Sequence, residues 1–257
     1  MTRARRLAPA FALAVALVGA WECYVDLADV EEQVLPAPHA VASALWDGRT
    51  LIFNNFAVTA KEVVLGLGLA LVAGLLLACW MHLAPLARRA LYPLLVGSQA
   101  VPVPVIGVLL VFWWGFGLLP KLAVIGLICF FPVVVTTVDG LAAVDPEQPK
   151  LLRTLDATRW QSFRFAELPA ALPAALSGAR IALAVGVVGA FIAETTTPTS
   201  GAYPGLGRQI LTDVNLQAPR AYAGTLVLFA FAIACFYALA LAERRLAPWS
   251  ADRGGPH

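Results

Sequence analysis

Leu152-Arg153-Thr154-Leu155-Asp156-Ala157-Thr158-Arg159-Trp160-Gln161-Ser162-Phe163-Arg164, continued by Glu167-Leu168-Pro169-Ala170-Ala171-Leu172-Pro173, is a polar and aromatic interruption between two long apolar runs. It lies in the connection spanning residues 139–171. Asp145-Pro146 reads as a helix start, although Pro149 moves that start to a Gln148 cap if proline takes the first helical position, where its missing N–H costs nothing. The short helix that follows presents Leu151, Leu152 and Leu155 on one side. Asp156-Ala157 breaks it, and Thr158 with Gln161 three residues later has the pattern of a capping box that opens a second short helix. Trp160 and Phe163, three apart, share a face of that helix, while Arg153, Arg159 and Arg164 stay solvated. Leu168-Pro169 is expected to stop the second helix, because a residue before proline is pushed out of helical backbone.

The rest of the chain is strongly apolar. Of 257 residues 60% are hydrophobic and 13% charged, with a mean hydropathy of +0.78; a soluble domain carries roughly 25% charged residues. That composition excludes a disordered chain, a nucleic-acid binder built on a basic surface and a small disulfide scaffold. A helix crossing about 30 Å of hydrocarbon needs about 20 apolar residues. Six such runs occur, at about 7–25, 57–81, 94–116, 122–138, 172–193 and 221–242, which predicts an all-α polytopic membrane bundle forming one domain over residues 1–257. Only the Gly115–Lys121 turn separates the third run from the fourth. The first run follows Arg3, Arg5 and Arg6, and Val18-Gly19-Ala20 resembles a signal-peptidase site. Its length, and the absence of small residues before Cys23, favour a retained span.

With the amino terminus inside, twelve basic residues fall on the inner side: Arg3, Arg5, Arg6, Arg88, Arg89, Lys150, Arg153, Arg159, Arg164, Arg244, Arg245 and Arg253. Five fall outside, namely Arg49, Lys61, Lys121, Arg208 and Arg220. The excess of inner charge predicts that both termini are cytoplasmic. Arg180, inside the fifth run, is expected to snorkel to the inner surface. Two outer connections are long. Residues 26–55 contain Leu35-Pro36-Ala37-Pro38 and then Val41, Ala44 and Leu45, the pattern of a short interfacial helix. Residues 194–220, rich in Thr, Gly and Pro, read as a loop.

Enzyme chemistry has no foothold here. There is no GxSxG or HExxH, and the three lysines, Lys61, Lys121 and Lys150, never follow glycine, so the chain has no phosphate-cradling ATP loop. The four cysteines and three histidines are scattered, which predicts no metal site. No carboxylate falls in the middle third of any run, which argues against an ion-coupled transporter. Two short helices at a bend suit docking into a groove on a partner, and equally suit an interfacial helix lying on the inner leaflet.

The bend resembles the coupling loop of ABC importer permeases of the binding-protein-dependent type. The family pattern is Glu-Ala-Ala, three residues, Gly, nine residues, Ile, one residue, Leu-Pro. Counting back from Leu168-Pro169, the Ile position is Ala166, the Gly position Asp156, and the Glu-Ala-Ala positions Lys150, Leu151 and Leu152. Asp is among the few residues besides Gly that tolerate a left-handed bend. Lys150 in place of Glu reverses the charge there, so any specific salt bridge the family makes from that position is not carried over. Leu35-Pro36-Ala37-Pro38, Gln99-Ala100-Val101-Pro102, Trp114-Gly115-Phe116-Gly117 and Glu243-Arg244-Arg245 are similar to the nitrate, sulfonate and taurine branch. Leu151-Leu152-Arg153 resembles a sub-branch for thiamine-pyrimidine precursors or riboflavin.

The resemblance implies a homodimer in the inner membrane of a bacterium, with two ATPase subunits that use the ATP and an outer solute-binding protein, and no cofactor in this chain. It places Leu152, Arg153, Asp156, Ala157, Arg159, Trp160 and Phe163 at the ATPase, with Leu168 and Pro169 joining this lever to the fifth run. Candidate pathway residues are Ser98, Gln99 and Pro102, which with Pro104 interrupt the third run. Gly178, Gly186 and Gly189 in the fifth run are candidates for a close-approach face, and Glu194 with Thr195, Thr196 and Thr197 for a gate. The plainer alternative is that these residues bend and pack helices. The competing class is a self-contained channel or facilitator.

Overall fold

In the computed structural model the described residues are 3–197 and 202–247, and every regular element among them is helical. In chain order these are α1 (Arg3–Leu27), α2 (Pro38–Asp47), α3 (Arg49–Leu83), α4 (Pro85–Ser98), α5 (Val103–Trp114), α6 (Leu118–Ala142), α7 (Glu147–Thr154) and α8 (Arg159–Ser162). A π-helical turn (Phe163–Glu167) leads into α9 (Leu168–Thr196), followed by α10 (Leu206–Leu216) and α11 (Ala218–Leu246). Arg253 and part of the 194–220 connection lie outside the described residues.

Proline and glycine set the breaks. Pro38 and Pro85 open α2 and α4, where a missing N–H is harmless. Gly115 (φ 74°) ends α5 and Gly117 (φ 147°) precedes α6, conformations that a side chain would strain. Four helices among the described residues are long and apolar enough to cross a membrane: α3, α6, the continuous stretch Arg159–Thr196, and α11. The third run, expected as one span interrupted by Ser98, Gln99, Pro102 and Pro104, is broken there. Residues 94–116 are divided between α4 and α5, which meet at an angle of 98°. Pro102, with φ −64° and ψ 114°, holds extended backbone that no helix can pass through.

The chain falls into two compact units, residues 1–58 with 202–229, and residues 59–201 with 230–257. In the second, Val124, Ile125, Cys129 and Val133 of α6 pack with Ala182, Leu183, Ala190 and Ala193 of α9. Small residues bring these helices together, as in lipid, where close backbone approach replaces the hydrophobic drive. A Cβ on Gly178 would lie 1.9 Å from Thr136 Oγ1, and one on Gly186 2.8 Å from Cys129 Sγ. Gly189 likewise faces Ile128. These three glycines therefore serve the α6–α9 seam. Arg180 pairs with Glu243 near the end of α11 and lies 5.9 Å from the Phe236 ring.

In the first unit, α10 replaces the loop expected over residues 194–220. Leu206, Ile210 and Asp213 recur at helical spacing and are all buried, a period masked in the sequence by the flanking Thr, Gly and Pro. Asp213 accepts from Arg220 Nε at 2.8 Å and Nη2 at 2.5 Å, and Asn55 accepts from the Gly205 N–H at 3.0 Å. His39, at the start of α2, meets Glu22 of α1 at 2.5 Å.

Candidate functional site

The bend between α6 and α9 is built by short-range capping. The Glu147 N–H donates to Asp145 Oδ1 at 2.9 Å, so α7 begins at Glu147 and not after a Gln148 cap. Pro149 fits inside the first turn, where its absent N–H has no intrahelical acceptor anyway. At the other end Asp156 adopts φ 55°. The Ala157 N–H reaches Leu152 O and the Asp156 N–H reaches Arg153 O, each at 3.1 Å. These two bonds and the left-handed residue make a Schellman motif, with Asp where Gly is usual. Thr158 then opens α8: its hydroxyl accepts from the Gln161 N–H at 3.3 Å, and its own N–H donates to Gln161 Oε1 at 2.7 Å.

Two expectations are corrected here. Leu168-Pro169 does not stop the helix. The Leu168 N–H bonds to Phe163 O, five residues back, and the wider π turn carries the chain into α9 with Pro169 in its first turn. The face shared by Trp160 and Phe163 is also divided in depth. Trp160 is 58% exposed, whereas Phe163 is 2% exposed and packs with Leu141 and Ala171. Their rings are 5.5 Å apart, and Phe163 is 5.8 Å from the His82 ring at the end of α3. Phe163 is thus the support beneath Trp160. Leu151, Leu155 and Trp160 form the apolar surface that the bend exposes, with Arg153, Asp156 and Arg159 exposed and Leu152 and Ala157 half-buried.

Under the bend lies a polar node. Glu167, 3% exposed, accepts from Arg159, from His82 and, at 3.2 Å, from Ser162 Oγ. His82 is 85 residues away in sequence, so no local pattern announces it.

The pathway candidates separate into two places. Ser98, Gln99 and Pro102 stand exposed at the bend between α4 and α5. Glu194 is 1% exposed and accepts from Thr59 Oγ1 at 2.5 Å. Two further buried ionisable residues escaped the sequence reading: Lys121, counted there among the outer basic residues, donates to Glu62 at 2.9 Å, and both are buried. Burial of a charge demands such a partner. Among the described residues no group of His, Cys, Asp and Glu is placed to hold a metal ion.

Comparison with known proteins agrees with this architecture. Residues 70–248 match the family described as binding-protein-dependent transport system inner membrane component. The chain is 34% identical to the formylaminopyrimidine transport permease protein of Halalkalibacterium halodurans, over 84% of this chain and 86% of that one. It is 30% identical to the riboflavin transport system permease protein of Chloroflexus aurantiacus, over 90% and 86%. It is also 30% identical to the taurine transport system permease protein of Escherichia coli, over 78% and 72%. A crystal structure of an amino acid ABC transporter with histidines shares the fold, with a TM-score of 0.60 at 17% identity, over 78% of this chain and 96% of that one. The chain therefore belongs to the binding-protein-dependent inner membrane component family: it is a multi-pass permease subunit of an ABC importer, not an enzyme, and it works with a separate ATPase and a binding protein.

Proposed function

We propose that this permease works as a homodimer with two ATPase subunits, both termini and the 147–167 bend facing the cytoplasm, and that the whole chain acts as one transmembrane domain. ATP is consumed on the partner. The observation that carries this reading is the bend itself, a Schellman turn at Asp156 followed by a capping box at Thr158, which together hold Leu151, Leu155 and Trp160 out as an apolar surface. Such a surface fits a groove on a cytoplasmic partner. Leu152, Arg153, Asp156, Ala157 and Arg159 flank it, Phe163 supports it, and Leu168-Pro169 links it to α9. Ser98, Gln99 and Pro102 line the solute path at the α4–α5 bend, and Glu194 belongs to a gate.

The cargo is a small solute of the nitrate, sulfonate or taurine kind. A second reading, a thiamine-pyrimidine precursor or riboflavin, is favoured by the 34% and 30% identities to permeases named for those solutes. The test is reconstitution of the permease in liposomes with its ATPase and binding protein, using labelled taurine, an aliphatic sulfonate, formylaminopyrimidine and riboflavin. ATP-dependent uptake of one of them only when all components are present supports the reading. Flux through the permease alone sinks it in favour of a facilitator.

A further inference from the structure

We propose that Glu167 is a positioning residue that clamps the coupling bend to the end of α3 through His82, so that displacement of the bend moves α3 together with α9. The inference rests on the coupling role proposed above. The bend is continuous with α9 through the π turn, so a pull on Trp160 reaches α9 along the backbone. No such covalent route leads to α3, whose nearest point in sequence, Leu83, is separated from the bend by the whole of α4, α5 and α6.

Two side-chain routes bridge that gap. One is polar: Glu167, almost wholly buried, accepts from Arg159 on α8 and from His82 on α3. The other is a stack of three rings, from exposed Trp160 through buried Phe163 to His82, with centroid spacings of 5.5 and 5.8 Å. Both converge on His82. A buried carboxylate is costly unless both its oxygens are paired. Arg159 and Ser162 of the bend hold Oε1 and His82 of α3 holds Oε2, so separating the bend from α3 leaves Oε2 without its partner, and a rigid joint is the lower-energy response to a pull.

In its other half α3 carries Thr59 and Glu62. Thr59 bonds Glu194 of α9 and Glu62 bonds Lys121 of α6. Thus α3 is tied through His82 to the turn that leads into α9 and through Thr59 to Glu194 near the far end of α9, and motion imposed at His82 has a route to the Glu62–Glu194 region.

Hydrogen exchange on the permease bound to its ATPase in lipid nanodiscs, with and without Mg-ATP and vanadate, tests this. In the wild type, trapping changes exchange in peptides covering both residues 77–90 and 151–160. In Glu167→Gln and His82→Ala the 151–160 response persists, while the 77–90 response falls by about threefold or more, as expected for regions that no longer open together. His82→Gln, which keeps a donor for Glu167, restores it. An unchanged 77–90 response in both variants, or none in the wild type, overturns the clamp. So does loss of the ATPase from both variants, because Glu167 then only shapes the docking surface. Failure of the wild-type chain to hold an ATPase at all defeats the coupling role and is read separately, before any variant is compared.

Discussion

Lys121 and Glu62 form an ion pair at 2.9 Å in which the two side chains are 1% and 3% exposed. Neither charge has water to fall back on, so the pairing is what offsets their burial. Removing one partner of a buried pair leaves an uncompensated charge and costs roughly 3–5 kcal/mol, whereas replacing both with apolar residues of similar size is close to neutral or stabilising. Lys121→Met alone should therefore lower the thermal midpoint of the purified permease in detergent, and Lys121→Met with Glu62→Leu should recover most of the loss. Additive losses in the double variant would show that the two residues do not act as a pair.

The α6–α9 seam makes a second, steric prediction. Gly178→Ala places a methyl group against Thr136 Oγ1 and the Pro132 carbonyl, the latter 3.0 Å away. Thr136 is itself tied to Pro132 O at 2.7 Å, so it has little room to yield, and overpacking of this kind costs about 1–3 kcal/mol. Gly68→Ala, where nothing lies within 4 Å, should be neutral or stabilising by helix propensity, by up to about 1 kcal/mol. Comparing the two melting temperatures checks the seam.

At the bend, Asp156 sits at φ 55°. Asp156→Gly relieves left-handed strain and should leave ATPase binding intact. Asp156→Val adds a β-branched side chain where it costs about 1–3 kcal/mol and should release the ATPase from the complex. Thr158→Ala, by loss of the cap, should destabilise α8 by about 1 kcal/mol. Co-purification of the ATPase with each variant is the measurement.

His39 gives a pH dependence. Its hydrogen bond to Glu22, and then the Glu22 charge, raise its pKa above 6.5. A raised folded value means that this contact stabilises fully below pH 6.5 and is lost as pH climbs through the higher folded value. Limited proteolysis in the 28–37 linker should therefore increase from pH 6 to alkaline pH in the wild type, and show no such rise in His39→Gln.

How much of this was legible in the sequence depends on the range of the interaction. The Asp156 break and the Thr158–Gln161 box are decided within four residues, and they stand in the structure where their spacing puts them. Four of the six apolar runs, those at 57–81, 122–138, 172–193 and 221–242, stand in helices long and apolar enough to cross a membrane, and were legible because lipid demands such runs. The run at 7–25 is not among them, and that at 94–116 is split. Leu168-Pro169 misled because the local rule against helix before proline ignores a π turn that absorbs it. His82, Glu62 and Lys121 were missed for a different reason: their partners lie 59 to 85 residues away, and no period or motif connects them. Lys121 in particular looks like an ordinary charge in a turn until α3 brings Glu62 to it.

What touches the bend decides whether it couples the permease to its ATPase. A photo-crosslinking amino acid placed at Leu155, 71% exposed, in the assembled transporter in native membranes reads this directly. The expected product is an adduct with the ATPase subunit that changes in yield when ATP and vanadate are added. Adducts with lipid alone, unaltered by nucleotide, would contradict it.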